Sequence, residues 1–572
     1  MYDVVIRGGS VVDGTGGPAK VADVGIRGQR IETVGSLPDV GDARVIDAAG
    51  LVVAPGFVDV HTHYDAQVFW DTTLSPSPLH GVTTVIGGNC GFTIAPLSSE
   101  PADGDYLMRM LARVEGMPLE SLQQGVPWDW TSFGEYLDRF DGTLSVNAGF
   151  KVGHSAIRRV VMGADATAGP ASPEQLDAMR SLLRESLAAG GLGFSSTWSR
   201  THNDADGNMV PSRHADPAEI IALCEVVSEF PGTSLEFLPM VGPFDDTAFD
   251  LMADMSVAAQ RPLNWNLLNV TAKSLDDAWH QLEGGNRAAE RGGKVVGLTI
   301  PMAMGLRLSF LTGFVLDALP GWEDAMALPL DQKMSLLADP DARAALDAGA
   351  QTDHPLRGIA HWSSKVITEC FSDETRPYEG RTVGEIAEEL GKEPFDTLVD
   401  IALADDLRTA FALPERAEDR TDWEARAAVW RDGRAVIGAS DAGAHLDLLG
   451  TFNYSTHVLA KAVREFGVVS LEEAVQLITQ VPASLYGLID RGELREGAFA
   501  DVVVFDPQTV APKPLRTRFD LPGGAGRIYG EADGIDRVLV NGQEIVVDGA
   551  FTSARPGTLL RSGRDTRTPA LT

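Results

Sequence analysis

Three cysteines, Cys90, Cys224 and Cys370, are all that the 572 residues contain. So few cannot form a disulfide framework, and a reducing cytoplasm is the expected compartment. Long apolar runs are missing too: none reaches the roughly 18 residues that a membrane-spanning helix needs. The opening MYDVVIRGGSVVDG lacks a basic stretch followed by an apolar one, so no secretory signal is expected there. Positive charge is scarce. Lys and Arg number 47 against 81 Asp and Glu, a formal net charge of −34. A surface so acidic repels phosphate backbones and anionic lipid, which excludes nucleic acid and membranes as expected partners. The acidic residues are spread along the chain, as for a solubilising surface. No fixed-period repeat is present, and a loose polar tail is expected after Leu560.

What is present is an alternation. Short β patterns punctuated by glycine fill the first ~50 residues and return near the C-terminus, as in Ala500–Pro507 and in Val538-Leu539-Val540 entering an Asn541-Gly542 turn. One small β-sandwich domain made by both ends, 1–54 and 490–555, is the expectation. Between them, eight apolar strands are predicted: Gly56–Val60, Thr83–Gly87, Val146–Val152, Leu192–Ser196, Ser234–Leu238, Leu263–Leu267, Val295–Ile300 and Ala435–Ala439. Amphipathic segments such as Pro173–Leu187 and Pro217–Phe230 lie between several of them. This α/β pattern predicts a (β/α)₈ TIM-like barrel over 55–489, with a helical insertion near 302–350.

Two motifs carry chemistry. Pro55-Gly56-Phe57-Val58-Asp59-Val60-His61-Thr62-His63 puts two imidazoles on one face of the first strand's C-terminal end, where a barrel builds its active site. Neutral imidazoles at that spacing suit a zinc ion. Ile437-Gly438-Ala439-Ser440-Asp441 ends the eighth strand with a carboxylate positioned to bind metal and to act as general base.

Together the split β-domain, the His-x-His and the late Asp resemble the amidohydrolase superfamily. More narrowly, His61-Thr62-His63-Tyr64-Asp65, Gly88-Asn89-Cys90-Gly91, Val152-Gly153-His154-Ser155 and Arg381-Thr382-Val383-Gly384 resemble the N-acyl-D-amino-acid deacylases (D-aminoacylases). The resemblance implies hydrolysis of a linear C–N amide bond in a small molecule by metal-activated water, and it implies a zinc-ligating thiol at Cys90. Ring-opening hydrolysis of cyclic amides or imides stays open as a second reading, and a non-catalytic ligand-binding barrel as a third. The chain also departs from the family. Strands five and six, Ser234–Pro239 and Leu263–Asn269, contain no histidine, and hand alignment puts Phe237 and Leu267 in the ligand places. Glu236 falls one residue out of phase. No lysine stands on strand four to bridge two metals, while Lys151 lies on strand three. One metal per chain, at His61, His63 and Asp441 with Cys90, is therefore expected over two. His154 and His445 are the candidate substrate contacts. The family's carboxylate-holding lysine is missing near Asn269, with Arg307 the nearest replacement, so the expected substrate has a large apolar group and depends little on an α-carboxylate. The oligomeric state stays open, a homo-oligomer included.

Overall fold

The computed structural model describes residues 2–414 and 418–571. Both chain ends enter one nine-stranded sheet. Val4–Val11, Lys20–Arg27, Arg30–Gly35, Arg44–Asp47 and Val52–Pro55 come from the N-terminal end, and Val502–Phe505, Ile535–Val540, Gln543–Val547 and Ala550–Phe551 from the C-terminal end. The seam is antiparallel, with Val503 opposite Ala54. The expected hairpin forms at Asn541 and Gly542, both with positive φ (47° and 81°), the conformation that such a turn selects. Ile6, Val24, Val53, Val502 and Leu539 close the sheet's own apolar core.

The eight predicted strands are present within one or two residues of their expected ends, the third broken into Asn147–Phe150 and Val152–Gly153. All are parallel to their neighbours. Phe57–Asp59 pairs with Val82–Gly87, which pairs with Asn147–Phe150. Val152–Gly153 begins a second run through Gly193–Thr197, Ser234–Leu238, Leu263–Leu268 and Val295–Thr299 to Ala435–Ile437. Just beyond the last strand, a parallel bridge joins Ala442 to Thr62, so the eighth strand returns to the first. Near-continuous burial along these strands explains why they read as plain apolar runs rather than alternating ones.

The insertion expected at 302–350 runs on to Ala412. It holds the helices Leu330–Ala338, Pro340–Ala350, Val383–Leu390 and Pro394–Ala404. It also holds a three-stranded antiparallel sheet of Arg307–Leu308, Ala410–Ala412 and Val366–Glu369. Its core is separate, centred on Phe310, Trp322, Trp362, Phe395 and Phe411. Strands of two to four residues leave too little periodicity to be seen in sequence. The tail is not loose. Leu560 is fully buried, and the chain beyond it bonds to Gly190, Gly232 and Gly487, covering the turns that precede strands four and five. Its polar residues satisfy backbone groups there, which composition alone does not reveal. Among the described residues no helix is long and apolar enough to cross a membrane.

Candidate metal centre

The first strand delivers its two histidines because Thr62 is pinned outward. The Thr62 N–H and Oγ1 both donate to the Ile86 carbonyl on strand two, at 3.0 and 2.9 Å. His61 and His63 therefore turn to the interior, each 1% exposed. After strand two, the chain makes a tight turn through Gly88, Cys90 and Gly91, all at positive φ. A Cβ at Gly88 would stand 2.4 Å from the Lys151 carbonyl oxygen, so only glycine fits. Asn89 holds the turn by donating to the Thr62 and Ile86 carbonyls at 2.9 Å each. The thiol of Cys90 thereby reaches 3.7 Å from His61 Nε2. Asp441 follows the eighth strand in the left-handed region (φ 59°), its N–H donating to the His61 carbonyl at 3.1 Å.

These groups converge. Asp441 Oδ1 is 3.4 Å from His61 Nε2 and 3.2 Å from His63 Nε2. One donor atom each from His61, His63 and Cys90 lies within 4.8 Å of the others. Zinc bonds of ~2.0–2.3 Å in tetrahedral array require ligand atoms about 3.3–3.8 Å apart; the spacings of 3.2, 3.4 and 3.7 Å are close to this, while Asp441 stands outside the group that His61, His63 and Cys90 form within 4.8 Å of one another. The residues therefore fit a divalent ion.

Burial and mutual pairing set the charges in the cluster. Burial pulls His61 down to about 4, so its imidazole is neutral at pH 7. Burial also acts to lower His63, but Glu115 and Asp441 outweigh it and carry His63 up to about 9. Burial alone would raise Asp441, yet its bonds to His61 and His63 hold it well below the carboxylate range. Burial pushes the Cys90 thiol up, helped by Glu236, Glu115 and Asp441. Glu236 is raised by burial to about 7, against the pull of Lys151. A buried cluster this rich in acids favours a cation, which would stabilise each deprotonated ligand.

The amidohydrolase family model matches residues 44–546. The chain belongs to the amidohydrolase family. It is 30% identical over 573 residues to a D-aminoacylase of Alcaligenes xylosoxydans xylosoxydans, covering 98% of this chain and 97% of that one. It is likewise 30% identical to an N-acyl-D-aspartate deacylase of the same organism, with 98% and 95% covered. Among solved structures, a D-aminoacylase described by its binuclear metal centre, with one-metal activation and second-metal attenuation, superposes with a TM-score of 0.64. Its identity is 27%, with 98% of this chain and 100% of that chain covered. An N-acyl-D-glutamate deacylase from Bordetella bronchiseptica, complexed with zinc and a phosphonate inhibitor, gives a TM-score of 0.62 at 25% identity over 98% and 100%.

In this amidohydrolase the other expected site residues divide. His445 joins the cluster, its Nε2 3.7 Å from Asp441 Oδ2 and its ring 5.7 Å from that of Phe314. His154 does not. Its Nδ1 meets Ser196 Oγ and its Nε2 meets Glu219, both at 2.8 Å, and it is fully buried, so no ring nitrogen is left for substrate. The expected phase of strands five and six is corrected. Glu236 rather than Phe237 faces the cluster, accepting from the Cys90 N–H at 2.7 Å, while Phe237 packs edge-on against Trp198. On strand six the inward residue is Asn266 rather than Leu267, with Nδ2 3.3 Å from His61 Nε2 and 3.7 Å from Cys90 Sγ. Trp265, on the opposite face, packs against Phe244. The alternation of strand side chains sets this phase, and it was visible in the polar pair Asn264 and Asn266. Lys151 is tied to Asn89 and lies 5.0 Å from the Tyr486 ring centre. One neighbour of the cluster had no sequence signal. Glu115 ends the helix Pro101–Val114, is 3% exposed, and brings Oε1 to 3.4 Å from His63 Nδ1.

Proposed function

We propose that this amidohydrolase is a zinc-dependent deacylase of N-acyl amino acids and related linear amides. In this reading the returning parallel strands form a (β/α)₈ barrel, and the shared terminal sheet is a β-sandwich domain of residues 1–54 and 490–555. The carrying observation is that Asp441 Oδ1 lies 3.4 and 3.2 Å from the two imidazole nitrogens with the Cys90 thiol alongside. His61, His63, Cys90 and Asp441 would hold one divalent ion, and the mixed nitrogen, sulfur and oxygen donors suit zinc. A bound ion would supply a water-derived nucleophile at neutral pH and would polarise the scissile carbonyl. Asp441 would take the proton of the attacking water and pass it to the leaving nitrogen, which would depart as a neutral amine. Glu115 orients the His63 ring through Nδ1. A single ion is supported by Glu236 and Asn266 standing where strands five and six would offer histidines.

Weak dependence on an α-carboxylate is supported by Arg307. The nearest spare cation by sequence is bound to Glu369 and Thr517. Three buried free thiols fit a reducing cytoplasm. The test is metal analysis of purified protein together with hydrolysis of N-acyl amino acids and of cyclic imides. Zinc near one per chain with linear amides cleaved is expected. Metal-free active protein, or turnover of imides alone, overturns the reading.

A further inference from the structure

Lys151 lies fully buried beside the metal centre, and the chemistry above gives it no task. It occupies the break in the third strand, between Asn147–Phe150 and Val152–Gly153. Its backbone N–H donates to the Gly87 carbonyl at 3.1 Å, and its ammonium donates to Asn89 Oδ1 with the Tyr486 ring centre 5.0 Å away. Lysine is almost never fully buried unless something balances its charge. Among the described residues these direct partners are neutral, so the balance comes from acids one step further off.

Glu236 is the chief of them. Both side chains are fastened to one turn. Asn89 accepts from Lys151, and the next residue, Cys90, donates its N–H to Glu236 Oε2 at 2.7 Å. Burial lowers the Lys151 amine, but only to about 8, because Glu236, then Cys90 and Asp65, favour its charged form. Lys151 is in turn the strongest of the groups that work against burial at Glu236. The two form a buried charge pair across the Asn89–Cys90 turn, on the side of the cluster that strands five and six supply.

Donor atoms for a second divalent ion are not wholly lacking there. Glu236 Oε1 is 3.9 Å from the Cys90 thiol, and Asn266 Oδ1 is buried without a partner. The obstacle is charge. A second ion would share Cys90 with the first and would need Glu236, the acid that the ammonium already balances. Like charges crowded into a poorly solvated site repel strongly.

We propose that the Lys151 ammonium is the resident cation on the strand-five side of the site, standing in place of a second divalent ion and holding the centre to one. A lysine cannot be exchanged or stripped by a chelator, so strands five and six need no histidines. The inference rests on the one-ion reading above and adds the residue that enforces it.

The experiment counts zinc per folded chain by elemental analysis after dialysis against chelator-buffered zinc, which leaves surface carboxylates empty. It compares wild type, Lys151→Met and Lys151→Met/Glu236→Gln, with circular dichroism as the check on folding. Methionine keeps an unbranched apolar stem without the charge. Zinc should rise from about one per chain in wild type to about two in Lys151→Met, and return to about one in the double variant, where the second ion loses its acid. A folded Lys151→Met protein that stays at one overturns the inference and leaves the one-ion reading standing. A Lys151→Met protein that fails to fold even in zinc also overturns it, because an ion in that place should restore the balance. Two ions in the double variant would show that the second does not depend on Glu236, with the same consequence. Two ions in wild type overturn both the inference and the one-ion reading, and a wild type without zinc removes the deacylase reading together with what rests on it.

Discussion

His61 and His154 look alike in the chain, and the fold gives them opposite fates. Each follows an apolar strand of the parallel set, the first and the third, and each is buried. His154 is saturated. Both its nitrogens are bonded, and its partner Glu219 also takes two bonds of 2.6 Å from Arg158, whose own Nη2 reaches the Gly169 carbonyl. His61 sits instead with its Nδ1 lacking a hydrogen bond, His63 Nδ1 has only Glu115 at 3.4 Å, and both Nε2 atoms are aimed at one carboxylate oxygen, that of His61 also at a thiol. Burying polar groups without partners costs on the order of 1–3 kcal/mol each, so a fold keeps such a cluster when a ligand completes it. The lesson is that burial of a histidine says little, and the occupancy of its ring nitrogens says which role it has.

This contrast can be broken most sharply at Asp441. Asp441→Asn keeps the shape but cannot accept a proton, and kcat should fall by at least ~100-fold with the circular dichroism spectrum intact. Near-normal turnover would remove the carboxylate from the chemistry. At the saturated cluster the effect should move to stability. Glu219→Ala leaves His154 and Arg158 facing a buried void and should cost about 3–5 kcal/mol in denaturant unfolding, with kcat/KM per folded molecule unchanged. A catalytic loss without a stability loss would reverse the assignment of the two clusters. Between these extremes stands Glu115. Glu115→Gln should weaken binding of the proposed divalent ion by about 10- to 100-fold in competition with a chromophoric chelator, and unaltered affinity would make the carboxylate a bystander.

The smallest expected effect is a pH dependence. The ring of His154 and the guanidinium of Arg158 outweigh burial and hold Glu219 at about 2, below its ordinary 4.5. A depressed carboxylate contributes stability that is fully present above about 4.5 and is lost as pH falls towards 2. The melting-temperature gap between wild type and Glu219→Gln should therefore narrow across that window. A gap that widens on acidification would contradict it.

Legibility in the sequence followed the range of the interaction. The eight strands, the shared terminal sheet and the Asn541-Gly542 turn were readable because each rests on local pattern: runs of apolar residues, glycine spacing, a turn dipeptide. That His61, His63 and Asp441 would lie together was readable because strand ends carry side chains to one mouth. The phase of strand five was missed by one residue. Its neighbours bury it on both faces, so hydrophobicity does not mark which side chain points inward. The insertion's short strands and the docked tail were missed for a related reason: their partners lie far away in the chain.

By itself, then, the sequence determined the order of strands and helices, the acidic surface, and the residue types offered at the first and eighth strand ends. Only the tertiary structure decided which buried groups end without partners. It brought Glu115, Glu236 and Asn266 to the cluster from a helix end and two strands, and it enclosed His154 with Ser196 and Glu219. The physical reason is that a polar group's role depends on what stands within about 3 Å of it, and for buried groups those neighbours come from distant segments that no local pattern encodes.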